Sequence, residues 1–203
     1  MPIAAILLAA GASERFGGQS KLLADLGGVP LIVHAARAIV GSNSSGFLAV
    51  TGRDGAAVAA ALQGSGLQII PNPNWAEGVG GSVAAGVRAL QVDACGVLIV
   101  PGDMPFLTPG YLNALIDRFT QSPEPRPILF PQLPDGTQGN PVLWPRRFFA
   151  ELAELSGAKG GKALLKQHAQ VAQAFPVTDA RLFVDIDTPD DLVRAAALLP
   201  ASA

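Results

Sequence analysis

A chain of 203 residues with 49% apolar and only 15% charged residues reads as one packed domain rather than a disordered segment, and at this size roughly 70% of the unfolded chain's surface can be buried. Fourteen Lys and Arg against sixteen Asp and Glu give a formal charge of −2 with no basic block, which argues against a nucleic-acid partner. The one cysteine, Cys95, excludes a disulfide within the chain and, beside the apolar run Gly96 to Val100, reads as a buried packing residue.

The opening MPIAAILLAAGA lacks the basic flank of a signal peptide, and its apolar run falls short of the ~20 residues a bilayer demands. The expectation is a soluble, cytoplasmic protein with no membrane partner.

In chain order, Ile3 to Ala9 reads as a strand and Gly11 to Ser20 as the loop after it. Pro30 to Val40 carries Leu31, Ala35, Ala38 and Ile39 at helical spacing. Phe47 to Thr51 is a strand, Ala56 to Leu62 a helix, Leu67 to Ile70 a strand, Val83 to Val92 a helix, Gly96 to Val100 a strand, and Pro109 to Phe119 a helix. The strands are continuous apolar runs, the pattern of strands buried on both faces. Such alternation predicts an α/β fold, a mostly parallel twisted sheet with helices on both faces, and ligands beyond the carboxyl ends of its strands.

The rest is less regular. Ile128 to Phe130 is a strand, Pro123, Pro125, Pro127, Pro131 and Pro134 mark a surface crossing, and PVLW (141 to 144) resumes extended structure. Thr188-Pro189-Asp190-Asp191 starts a helix, with Thr188 as N-cap and Pro189 at its first position. With no linker, residues 1–203 form a single domain.

The loop LLAAGASERFGGQSK (7 to 21) fits neither familiar glycine-rich pattern. Ser13 stands where a dinucleotide fingerprint needs its second Gly, and Phe16 and Gly17 stand where a Walker A loop needs Gly and Lys. What remains is a set of freed backbone N–H groups with two cations, Arg15 and Lys21. Together they suit a polyphosphate, though a plain turn with two solvated cations satisfies the same residues.

LAAGASERFGGQSKLL resembles the signature loop of the MobA-like nucleotidyltransferases, in particular the molybdenum cofactor cytidylyltransferase branch. The resemblance implies a Rossmann-like nucleotidyltransferase fold, with residues 1–120 as the nucleotide-binding half and 121–203 as the acceptor half. It also implies nucleotide contacts from Leu8, Ala9, Ala10, Gly11, Ser13, Arg15 and Lys21. In that family Ala at position 10 accompanies cytidine and Gly accompanies guanine.

VPGDMPFLTP (100 to 109) puts Asp103 at the end of an apolar strand, where a carboxylate suits Mg²⁺ bound to phosphates or an Asx turn before the next helix. The resembling family's G-D-x-P motif implies the metal role. FVDIDTPDDL (183 to 192) resembles the family's closing motif and adds Asp185 and Asp187 as metal candidates, on one side of an extended segment. Arg15, Lys21 and Asp103 become the catalytic candidates.

PNPNWAEGVGGSVAAGV (71 to 87) is similar to another family pattern through Asn72 or Asn74, Trp75, Gly78 and Ser82. It adds Gly78 and Ser82 to the nucleotide contacts, with Trp75 read as core packing. GNPVLWPRRFFAEL (139 to 152) resembles the acceptor-side segment and nominates Asn140 and Pro141, with Arg146 and Arg147 adjacent. LSGAKGGKALL departs from the family by Ala158 in place of Asp and Lys162 in place of Arg, which bears on the acceptor. His34 and His168 show no acidic partner in sequence and read as ordinary histidines.

The resemblance implies transfer of CMP from CTP to molybdopterin with Mg²⁺ as cofactor, pyrophosphate as product and a molybdoenzyme as client. The alternatives are a relative using GTP or another phosphorylated acceptor, a dinucleotide oxidoreductase, and a non-catalytic molybdopterin carrier.

Overall fold

The structure, a computed structural model, describes residues 1–90, 93–133, 135–177 and 179–199. Strand β1 (Ile3–Ala9) is its axis. Ile3, Ala5 and Leu7 feed one core and Ala4 and Ile6 the other, because successive side chains of a strand point to opposite faces. That two-sided burial is why the run shows no polar alternation.

Strand β1 pairs in parallel with β4 (Phe47–Thr51) and β6 (Gly96–Pro101), and β4 with β5 (Gln68–Pro71). Beyond β6 lie β8 (Val142–Pro145), β7 (Ile128–Gln132) and β9 (Ala172–Pro176), giving the order β5-β4-β1-β6-β8-β7-β9. Only β8 runs against the others, so the sheet is mostly parallel, as the alternating elements predict.

Helices α1 (Leu31–Val40), α2 (Gly55–Ala61) and α4 (Pro109–Gln121) cover one face through Ile32, Val58 and Leu115. The other carries α3 (Val79–Arg88), α5 (Phe149–Ala153) and α6 (Gly160–Gln167) through Val83, Leu152 and Leu164. The chain forms a single domain of Rossmann-like architecture. Among the described residues no helix is long and apolar enough to cross a membrane.

Three readings shift. Helix α3 begins at Val79 rather than Val83, while Gln91 and Val92 at its expected end lie outside the described residues, as does Pro134. Strand β9 carries no sequence signal: every residue of AQAFP is partly or fully exposed. Cys95 is half-buried rather than fully buried.

A third cluster, separate from the two main cores, positions the site. Phe16 of the opening loop packs with Leu26 and Leu31, and with Ile186 and Ala195 from the far end of the chain. Leu26 belongs to the hairpin β2 (Asp25–Leu26) and β3 (Val29–Pro30), and Ala195 to α7 (Pro189–Ala196). This packing brings residues 184–196 beneath the glycine-rich loop.

Candidate active site

The strand order turns back between β1 and β6, since β1 leads outward to β4 and β5 on one side and the chain then returns to β6 on the other. The crevice beyond the carboxyl ends at such a reversal is where open α/β sheets bind ligands. Gly11 follows β1 there, and Asp103 follows β6. The Gly102 N–H donates to the Leu8 carbonyl at 2.9 Å, and a Cβ at Gly102 would meet that oxygen at 2.8 Å. Only glycine lets the two strand ends lie this close, which sets Asp103 directly against the opening loop.

The loop turns at Ser13, whose φ of 55° is left-handed and whose Oγ accepts the Lys21 backbone N–H at 3.1 Å. Lys21 Nζ then donates to Asp103 Oδ2 at 2.6 Å and Asp187 Oδ1 at 3.0 Å. Arg15 Nη2 reaches Asp187 Oδ2 at 2.9 Å. Four of the residues singled out in the sequence thus form one ionic network.

Asp187 is placed by the start of α7. Thr188 and Asp191 make a capping box, and Asp191 Oδ2 also accepts the Asp187 N–H at 3.1 Å. The Asp191 carboxylate thus accepts the Thr188 and Asp187 N–H groups, while the Thr188 hydroxyl oxygen accepts the Asp191 N–H at 3.2 Å.

Electrostatics separate the two closing-motif carboxylates. Burial pushes Asp187 upward, but hydrogen bonds and charge from Lys21, then from Arg15, outweigh it and hold its pKa below the usual value. Burial raises Asp185, and the negative charges of Asp103 and Asp187 raise it further. Burial disfavours the Lys21 ammonium, yet Asp103 and Asp187 more than compensate and its pKa is raised.

The three carboxylates expected around a metal do not gather as one ligand set. Among the described residues no group of three or more His, Cys, Asp or Glu side chains is arranged to hold an ion; Lys21 stands between Asp103 and Asp187, and Asp185 lines a different cavity. The pair still fits Mg²⁺. That ion favours hard oxygen donors and is content with one or two carboxylates plus substrate oxygens, and the shared ammonium marks a place where both carboxylates stabilise one cation.

Beside the network opens a cavity of about 940 Å³. Leu8, Ala10, Gly11 and Lys21 line it from the β1 side, Gly78 and Ser82 from α3, and Asp103 and Asn140 from the β6 and β8 side. Ala9, Ser13, Arg15, Asp187 and Pro141 are not on its wall. Asp103 and Asn140 also border a neighbouring cavity of about 350 Å³, where Asp185 lies. Asp103 therefore stands on the partition between two spaces.

Among the wall residues that sequence reasoning did not place there are Trp75 and Arg53. Trp75, expected in the core, is half-buried on the cavity wall. Arg53, at the end of β4, lines the cavity and donates through Nη2 to the Gly18 carbonyl at 3.4 Å, tying β4 to the opening loop. TGRDG reads only as a turn, so no local signal marks it. Asn72 settles the other ambiguity: its Nδ2 donates to Ser82 Oγ at 3.0 Å in a buried pair that orients the serine.

The far wall is built by backbone contact. Gly80 N–H donates to the Gly157 carbonyl at 2.9 Å, and Cβ atoms at Gly78 and Gly80 would fall 2.5 Å from Gly157 and Ser156 backbone atoms. This interlock carries Ala158, Lys159 and Lys162 onto the cavity wall.

The remaining candidates lie elsewhere. Arg146 Nη1 donates to the Ala94 carbonyl at 2.9 Å and pairs with Asp93, and Arg147 covers the Phe148 ring. His168 does have an acidic partner: its Nε2 lies 2.8 Å from Glu151 Oε2, a pairing between α5 and the end of α6 that the fold alone creates. His34 Nε2 sits 2.9 Å from the Leu26 carbonyl.

Residues 5–171 match the family model of the MobA-like NTP transferase domain. The chain belongs to that family. It is 31% identical to the molybdenum cofactor cytidylyltransferase of Escherichia coli over 135 residues, covering 64% of this chain and 63% of that protein. It is 36% identical to the bifunctional protein GlmU of Allorhizobium ampelinum over 112 residues, covering 54% of this chain but only 25% of GlmU. The match thus spans about a quarter of the GlmU length. Rv0371c of Mycobacterium tuberculosis superposes with a TM-score of 0.84 at 25% identity, covering 97% of this chain and 98% of that one.

Proposed function

We propose that this MobA-like protein transfers CMP from CTP to a terminal phosphate of molybdopterin. The observation that carries the reading is the placement of Lys21 and Asp103, joined at 2.6 Å, on the wall of a nucleotide-sized cavity whose loop side ends in Ala10 and Gly11. The likeness to the E. coli cytidylyltransferase and Ala rather than Gly at position 10 support CTP and the molybdopterin acceptor.

In this reading an acceptor phosphate oxygen attacks the α-phosphorus, the α–β anhydride bond breaks, and pyrophosphate leaves. The attacking phosphate is already ionised, so no general base is needed. The protein aligns the two partners and neutralises charge on the phosphoryl oxygens. Backbone N–H groups from Gly11 onward and the Lys21 ammonium receive the triphosphate, while Arg15 holds Asp187 and faces solvent as a second cation. Ser82, fixed by Asn72, offers a hydroxyl to the nucleoside. Asp103 and Asp187 would hold Mg²⁺, which would supply charge neutralisation at the phosphates. Asn140, between the two cavities, orients the acceptor.

The acceptor wall differs from the family pattern by Ala158 and Lys162, both on the cavity. That difference favours a second reading in which another phosphorylated metabolite is the acceptor. The deciding measurement is Mg²⁺-dependent pyrophosphate release from CTP and GTP, each with molybdopterin, with a sugar phosphate as another phosphorylated acceptor, or with no acceptor. Release from CTP only with molybdopterin is expected. Release only with the sugar phosphate transfers the reading to the second acceptor, and no release from any pair overturns both. A molybdoenzyme client is proposed on the same basis.

A further inference from the structure

The Lys21 ammonium is engaged by two carboxylates of the chain itself. It is held between Asp103 Oδ2 at 2.6 Å and Asp187 Oδ1 at 3.0 Å, and the side chain is only 12% exposed. Its backbone is fixed by the Ser13 hydroxyl and by a single 3₁₀ turn over Lys21–Leu23. Yet Lys21 also lines the large cavity, so the same side chain borders both the carboxylates and the space proposed for the triphosphate.

We infer that Lys21 is the resident counter-ion of the Asp103–Asp187 pair, so that a divalent cation competes with this ammonium for the same two carboxylates and displaces it fully only when a triphosphate receives it. The inference rests on the metal and nucleotide placement proposed above. Its physical basis is charge balance. Two carboxylates in a half-buried position hold one tethered cation, and a dication arriving beside that ammonium meets like-charge repulsion at short range. A triphosphate in the cavity removes the repulsion by taking the ammonium. Metal and nucleotide must then tighten each other's binding by the same factor, since coupling between sites is reciprocal. Arg15 does not substitute for Lys21: it touches only Asp187 and its side chain is 67% exposed, where screening weakens it.

The test is a Mn²⁺ titration without nucleotide or acceptor, followed by the loss of the free-ion electron paramagnetic resonance signal, on wild type, Lys21→Met and Lys21→Gln. Removing the ammonium should tighten Mn²⁺ binding about tenfold or more, within the usual range of site–site coupling, and Mn²⁺ should raise the Tm of both variants more than that of wild type. The double variant Lys21→Met/Asp103→Asn should lose the gain. Equal or weaker Mn²⁺ binding by both single variants overturns the inference, as does a gain that survives in the double variant. Variants that stay unfolded in Mn²⁺ also overturn it, because a dication in the ammonium's place restores the charge balance. No turnover enters this titration. A failed transfer assay therefore leaves it standing, and a flat titration leaves the transfer assay untouched.

Discussion

The backbone carbonyl of Asp103 accepts the N–H of Ile186 at 3.0 Å, so the end of β6 and the closing segment of the chain are joined by main chain, independently of the ions around them. The Asp103 carboxylate is then free to act as a charge rather than as a fold element. Asp103→Ala is expected to keep the fold, with a cost near the about 1 kcal/mol ceiling of partly exposed ion pairs, while pyrophosphate release falls by at least about a hundredfold. Steady-state rates beside a thermal melt check both halves. An active Asp103→Ala enzyme removes Asp103 from the chemistry.

Gly80 couples the two walls of the cavity. Its N–H holds the Gly157 carbonyl, and a methyl group there would lie 2.5 Å from the Ser156 oxygen. Gly80→Ala forces backbone apart and is expected to cost about 1–3 kcal/mol, a Tm loss of roughly 2–4 °C per kcal/mol at this chain length. Gly157→Ala is the control. Its Cβ would meet nothing within 4 Å, but its φ is +69°, so only the left-handed backbone penalty of about 1–2 kcal/mol applies. A Gly80→Ala protein as stable as wild type would mean that the interlock is dispensable.

How far the sequence carries depends on whether the signal is local. Ile3–Ala9 and Phe47–Thr51 are legible to the residue because burial on both faces makes them unbroken apolar runs between breakers. Thr188 and Pro189 announce α7 because capping is chemistry between near neighbours. Helix α3 hides its first turn in Val-Gly-Gly-Ser, where glycine's poor helix propensity is offset by the bond to Gly157. In the site, motifs single out Lys21, Asp103 and Asp187 one at a time. Their meeting across 82 and 166 positions of sequence is a tertiary fact, and so are the ammonium between the carboxylates, Arg53 on the wall and the Glu151–His168 pair.

Asp191 makes the placement of Asp187 sensitive to acid. Hydrogen bonds from Thr188, above all from its side chain, outweigh solvation loss and, with Asp187 N–H and Arg194, hold its carboxyl down to about 2. A depressed carboxyl contributes stability that is complete above the unfolded value of about 3.9 and is lost as pH falls through about 2. Asp191→Asn is therefore expected to lower Tm at pH 7 and to converge on wild type as the melts are taken down towards pH 2. Because Asp187 loses an anchor, pyrophosphate release should fall as well. A constant Tm difference from pH 7 to pH 2 would mean that the carboxylate charge contributes nothing.

Lys159 and Lys162 stand three positions apart, one at the N-cap of α6 and one in its first turn, and both face the cavity from the wall opposite the β1 loop. Residues at this spacing share a helix face, so the two ammonium groups present themselves together to whatever occupies that end. In the proposed reaction the occupant is the phosphorylated acceptor. Lys162→Ala is expected to raise the acceptor KM about tenfold, the worth of one charge-assisted hydrogen bond, while the KM for CTP changes less than about twofold and the salt dependence of acceptor binding flattens. Initial rates with each substrate varied in turn separate these effects. A rise confined to the CTP KM would place the nucleotide, rather than the acceptor, against α6 and would reverse the assignment of the two ends of the cavity.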